Sequence, residues 1–212
     1  MNLRRGFAAS LSLAIVLSML ALFTVTAPSA SAAATVSVFN GGSIQNAINA
    51  ANNGDTIRVY PGVYLENLDF LGKAITVVGV TGPAQTTIDG RGLGPVVRFA
   101  ANEPRGATLS GFTVKNGSDQ FEGGGIQISV ASPTVTNNVI TGNHACSGSG
   151  GSAASSSALI AFNTSADNTQ QGRTGGSGGG IYVRAAGAVE IRSNVIKGTR
   201  AETGGGIDLF AA

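Results

Sequence analysis

The sequence predicts an all-β fold, a right-handed parallel β-helix with a short capping α-helix at its N-terminal end, and three features predict it. The first is composition, since 32 glycines, no tryptophan and only 11% charged residues are unusual for a compact enzyme and direct attention to repeats. The second is a recurring eight-residue segment. Leu109-Ser110-Gly111-Phe112-Thr113-Val114-Lys115-Asn116 returns 26 positions later as Val135-Thr136-Asn137-Asn138-Val139-Ile140-Thr141-Gly142. It recurs as Ile191-Arg192-Ser193-Asn194-Val195-Ile196-Lys197-Gly198, with a degenerate copy at Ile160-Ala161-Phe162-Asn163-Thr164. The third is a glycine-led strand repeated in step: Gly123-Gly124-Gly125-Ile126-Gln127-Ile128, Gly178-Gly179-Gly180-Ile181-Tyr182-Val183 and Gly204-Gly205-Gly206-Ile207-Asp208-Leu209. Each is a turn-permissive run followed by period-two alternation. A repeat of about 25 residues built from short strands cannot bury its apolar faces alone, whereas stacked copies form one core and continuous backbone ladders.

The elements follow in order. Residues 1–32 read as an export leader, with Arg4 and Arg5 at the start, a mostly apolar run from Gly6 to Ala27, and Ala30-Ser31-Ala32 as small residues for cleavage. An uncleaved anchor is the alternative, because the apolar run is near the lower limit for a span. Ser10, Ser12, Ser18, Thr24 and Thr26 dilute that run and favour cleavage. The β-helix domain is then 33–212, in a secreted protein with a cell-surface or periplasmic location as variants. Ser43 is an N-cap, and Ile44, Ala47, Ile48 and Ala51 fall on one helical face before Asn52-Asn53-Gly54 stops it. This helix is expected to plug the first coil, whose open end would expose unpaired strand edges and core. Thr56 to Tyr60 and Ala74 to Gly79 read as strands, with Ile57, Val59, Ile75 and Val77 inward.

Farther on, Gly148 to Ser157 is almost all Gly, Ser and Ala, and positions near Gly151 and Ala153 cannot fill a core as Ile126 and Ile128 do. A loose or looped-out coil is expected there. The chain stops at Ala212 directly after a glycine-led strand, the pattern of a β-helix truncated at its C-terminal end; an end covered by another chain is the alternative.

Charge and rare residues exclude several functions. The basic pI of about 9.0 belongs to the precursor. Without Arg4 and Arg5 the remaining 11 Lys and Arg balance 11 Asp and Glu, which gives no support for nucleic acid or, after leader cleavage, a membrane as partner. Cys146 is the sole cysteine, so no internal disulfide holds the fold, and with His144 it supplies too few ligands for a structural zinc site. None of the glycine runs leads into Gly-Lys-Ser or Gly-Lys-Thr, against a nucleotide-binding loop.

Ser43-Ile44-Gln45-Asn46-Ala47-Ile48, Gly54-Asp55-Thr56-Ile57 and Tyr60-Pro61-Gly62-Val63-Tyr64 together resemble the opening of the pectin-lyase-like β-helix superfamily. Thr87-Ile88-Asp89-Gly90 and Gly111-Phe112-Thr113-Val114 extend that resemblance along the chain. It implies an inward Asn at the corner of each coil, stacked on its equivalents. Asn138, Asn163 and Asn194 hold that position, with Phe112 in the earlier coil. It also implies a polysaccharide, in some members uronate-containing, lying along one outer sheet face between loops. The glycine-led strands are the counterpart of that sheet, with Ala145 to Ser157 and Ala166 to Gly178 as the longest loops running into them. Alternation sends Ile126, Ile128, Ile181, Val183, Ile207 and Leu209 inward and leaves Gln127, Ser129, Tyr182, Arg184, Asp208 and Phe210 outside. Arg98, between Val97 and Phe99, extends the row. Arg98, Gln127, Tyr182 and Phe210 are the candidate substrate-binding residues, an amide, a cation and aromatics suited to sugar hydroxyls, carboxylates and ring faces. The competing reading is a set of ordinary solvated strand positions.

Catalysis has a thinner basis. β-Elimination of the pectate-lyase kind needs a base, for which Arg184 and Arg192 are candidates, and commonly Ca2+ held by clustered carboxylates. Arg184 and Asp208 are the catalytic candidates, but Asp119, Glu122, Asp167, Glu190 and Asp208 are scattered in sequence and no metal site is legible. The absence of an Asp-Asp pair, and His144 lying in Asn143-His144-Ala145, argue against inverting hydrolysis of the polygalacturonase type. The function expected is therefore a secreted polysaccharide-engaging β-helix, with lyase action on acidic glycans as the enzymatic form and a non-catalytic surface or adhesin-like solenoid as the alternative.

Overall fold

Short parallel strands, each too short to be stable alone, hold one another by pairing with the strand one turn above and one turn below. The structure, a computed structural model, describes residues 32–171, 175–184 and 187–210; the expected leader lies outside the described residues. The chain winds through about 6 turns of a parallel β-solenoid. Each turn visits three sheets in the same order. The first sheet stacks seven strands, from Thr35–Val38 to Glu190–Arg192; the second and third stack six each, from Gly62–Tyr64 to Val195–Lys197 and from Leu68–Asp69 to Ile207–Phe210. Every strand pair is parallel. In three turns an extra strand precedes the third sheet: Ser118–Glu122, His144–Ser147 and Thr169–Gln170 stack into a fourth, three-stranded sheet, here called the ridge.

Alternation fills the interior in columns. The first sheet sends in Ile57, Val77, Leu109, Val135 and Ile160, all buried and in register. The third sends in Val97, Ile126 and Ile181, with Phe99, Ile128 and Val183 two residues on. The rings of Phe70 and Phe99 pack at 4.2 Å between centroids. Ile207 and Leu209 continue these columns but are 42% and 69% exposed, in the last described turn.

The helix Ile44–Ala50 lies at the first turn with Ile44, Ala47 and Ile48 buried. Ser43 Oγ accepts from the amide of Asn46 at 3.1 Å, as an N-cap does. Glu66, two strands later, completes that end: its carboxylate accepts from Ser43 Oγ and from the amides of Ile44 and Gln45, at 2.8 to 2.9 Å. At the other end Lys73 Nζ donates to the carbonyls of Ile48, Asn49 and Ala51. Polar groups that a short helix leaves unpaired at both ends are thus satisfied by the coil beneath it. Asp55 ties the helix exit to the first strand, accepting from the amides of Ala34 and Asn52 at 2.7 Å each.

Two asparagine ladders run along the corners. In the first, Asn138 Oδ1 accepts from Phe112 N, Asn163 Oδ1 from Asn138 N and Nδ2, and Asn194 Oδ1 from Asn163 N and Nδ2, at 2.9 to 3.1 Å. The second, between the second sheet and the ridge, joins Gly117, Asn143 and Asn168 in the same way. The side chains close hydrogen bonds that the turning backbone leaves open, in a buried setting where an unmade bond is costly.

The glycine runs form the sharp turns from the ridge into the third sheet. Gly123, Gly148, Gly178 and Gly204 have φ of +76°, +61°, +64° and +53°, a region in which side chains are strained. Gly125, Gly150 and Gly180 let adjacent turns touch, since a Cβ on Gly125 would meet Gly150 O, one on Gly150 would meet Gly180 O and one on Gly180 would meet Gly206 O.

The segment Gly148 to Ser157 corrects the expectation of a looped-out coil. Gly151–Ala154 is a regular strand paired to Ile126–Ser129 on one side and Ile181–Arg184 on the other, and Ala145 to Ser157 holds two strands and is no loop. Backbone pairing does not depend on side-chain volume, so the ladder persists where the core thins. The thinning is real: Gly151, with Ser165 in the second sheet, leaves a cavity of about 20 Å³ among Ile126, Ile128, Ile140 and Ile160.

Candidate functional site

Register places the sequence-selected residues on the outer face of the third sheet in two adjacent rows. Arg98, Gln127, Tyr182 and Asp208 share one row with Asp69 and Ser152; Arg184 and Phe210 share the next with Ser129 and Ala154. Neighbours in a row are separated by the strand spacing of about 4.8 Å. The rows differ in access. The ridge turns fold back over the first: a Cβ on Gly123 would lie 2.8 Å from Gln127 Cα, and one on Gly178 2.9 Å from Tyr182 Cα. Tyr182 is consequently only 9% exposed, so an open ring for stacking is not what it offers. Arg98, in a turn without a ridge strand, is exposed, as are Arg184 and Phe210.

The ridge contributes Glu122, which sequence reading left among the scattered acids. Its carboxylate pairs with Arg184 Nε at 3.1 Å, from a strand two turns earlier. Three features fix its backbone. The ridge pairing shifts register between Asp119 and Glu122, a bulge of the sort that re-aims a side chain. Asp119 Oδ1 accepts from the amides of Phe121 and Glu122 at 2.7 and 2.9 Å, and Gln127 Nε2 donates to Glu122 O at 3.1 Å. The phenol of Tyr182 is held above its ordinary range, first by burial, then by the negative charge of Glu122, with Asp208 adding to the rise and Arg184 opposing it. Ser152 Oγ, between Gln127 and Tyr182 in the row, is buried and makes no hydrogen bond.

The arrangement changes the chemical reading. Arg184 is occupied by a carboxylate, and Asp208 lies under the Gly204 turn, 2.6 Å from where a Gly204 Cβ would stand. Arg192 is on the first sheet, paired with Glu190 and stacked over the Phe162 ring at 5.2 Å, with Arg105 on the same glutamate. Glu190 therefore does not join Glu122 and Asp208. Among the described residues no three His, Cys, Asp or Glu side chains come together as a metal site, so these donors do not fit a Ca2+. His144 and Cys146 sit on the ridge strand His144–Ser147, and Cys146 is a free thiol.

Fold and surface together define a parallel β-solenoid with one polar strip flanked by a ridge. Neither a protein-family model, nor a curated protein, nor a solved structure matches the chain.

Proposed function

We propose that this chain is an exported, pectin-lyase-like β-helix that engages an extended, uronate-containing polysaccharide along the outer face of the third sheet. The observation that carries the reading is the exposed pair Arg184 and Phe210, in register on adjacent strands. A guanidinium beside an aromatic ring, one strand spacing apart, suits a carboxylate and the apolar face of neighbouring atoms of one sugar chain. Arg98 offers a second cation farther along the same face, and the Ser129 hydroxyl supplies a neutral partner, while the Gln127 amide is engaged with Glu122 O.

Binding without cleavage is favoured over β-elimination by one feature, the Glu122 carboxylate on Arg184, which leaves the proposed base engaged. A non-catalytic surface solenoid is accordingly the form of the function we put first. The experiment is retention of the protein on immobilised polygalacturonate and alginate, run beside release of unsaturated uronate from the same polymers with and without calcium. Retention that is lost in Arg184→Ala and Phe210→Ala, without uronate release, is expected. Release of unsaturated uronate abolished by Arg184→Ala would instead establish the lyase, and unretained, folded protein would overturn the glycan reading.

A further inference from the structure

We propose that Glu122 is a built-in competitor for the anionic ligand: its carboxylate occupies Arg184 in the place a uronate carboxylate would take, and binding requires its displacement. The inference rests on the polysaccharide reading above and adds its regulation. Three observations carry it. The contact joins separate elements, Glu122 reaching Arg184 Nε at 3.1 Å from a different sheet and a different turn. The glutamate is presented by a bulge that Asp119 and Gln127 hold in place, so the carboxylate is aimed by its backbone and does not merely fall on the nearest cation. Both partners retain access to water, with side-chain exposures of 48% for Arg184 and 24% for Glu122, so the pair can be exchanged.

The geometry also fixes how strong such a gate is. A solvated Arg–carboxylate pair shifts an equilibrium by about twofold to fivefold, enough to measure and too little to close the site. A neutral sugar gains nothing from breaking the pair, whereas a uronate replaces one carboxylate with another on the same guanidinium. Arg184 therefore supplies the preference for an acidic sugar, and the internal rival lowers uronate affinity and narrows that preference.

The test is calorimetric titration of the full-length chain with a galacturonate oligomer and with a neutral galactan oligomer of equal length. Glu122→Gln is expected to tighten the galacturonate about twofold to fivefold and leave the galactan unchanged. Arg184→Ala should remove the difference between the two sugars, and Glu122→Gln added to Arg184→Ala should have no further effect. The proposal is overturned if Glu122→Gln, folded by circular dichroism, binds galacturonate no better than the parent. Binding of both sugars with no response to Glu122→Gln defeats the gate and leaves the glycan reading standing; binding of neither defeats the glycan reading and the gate with it.

Discussion

Replacing Gly151 by alanine should stabilise the protein, although every other feature of the glycine-led turns makes alanine there costly. Gly151 is inward, in register with Ile126 and Ile181, and its φ is not positive. A Cβ would meet Ile126 O at 3.5 Å and Ile126 Cβ at 3.8 Å, ordinary contacts, and would point toward the cavity of about 20 Å³. Reduced freedom of the unfolded chain contributes about 0.4–1 kcal/mol. Burial of one methyl group adds up to about 0.8 kcal/mol. The sum, about 0.4–1.8 kcal/mol, corresponds to a rise in Tm of about 1–7 °C for a domain of this size. The control is the adjacent Gly150→Ala, whose Cβ would run into Gly180 O and lie 2.6 Å from Ser165 Oγ, and should destabilise by about 1–3 kcal/mol. Thermal unfolding followed by circular dichroism reads both. A lowered Tm for Gly151→Ala, or an unchanged one for Gly150→Ala, would refute the reasoning about where the core is thin and where the turns touch.

Other predictions concern the ladders, the cap and the strip. Asn163→Ala removes the middle rung, leaving Asn138 N and the carbonyls of Val135 and Ala161 short of partners, and should cost about 3 kcal/mol or more in urea unfolding. Asp55 is held below its ordinary value by the amides of Asn52 and Ala34, so its stabilising contribution is present above the unfolded carboxyl pKa and is lost as pH falls through the folded one. Asp55→Asn should therefore flatten the acid limb of the stability curve, measured by unfolding between neutral and strongly acidic pH. The Tyr182 phenol, followed by ultraviolet absorbance, should titrate at lower pH in Glu122→Gln and at higher pH in Arg184→Ala. Titration unchanged in both variants would contradict the placement of the ion pair beside Tyr182.

The repeat made the coil legible, because Leu109, Val135 and Ile191 recur with the period that stacks them. The first asparagine ladder was legible through the resemblance, which implied that Asn138, Asn163 and Asn194 turn inward and stack. Asn143 and Asn168 were not singled out, since their corner leads to a ridge strand that three turns possess among the described residues. The ridge itself, polar in Ser118–Glu122 and nearly featureless in Thr169–Gln170, carries no alternation that separates it from a loop. That omission propagated to the site: alternation put Tyr182 outside, and the ridge turn then covered it. Small residues from Gly148 to Ser157 were read as weak packing and therefore as a loose or looped-out coil, but volume governs the cavity while the backbone ladder governs the coil. Glu66 and Lys73 reach the helix ends from later turns, a relation that no local pattern records.

Amide chemical-shift mapping during titration with a galacturonate oligomer tests the functional claim most directly. The account predicts shifts concentrated on the outer third sheet and its ridge, at Arg98, Ser129, Arg184, Phe210 and Glu122, with the first sheet around Arg192 silent. Shifts confined to the first sheet, or none at saturating oligomer, would contradict it.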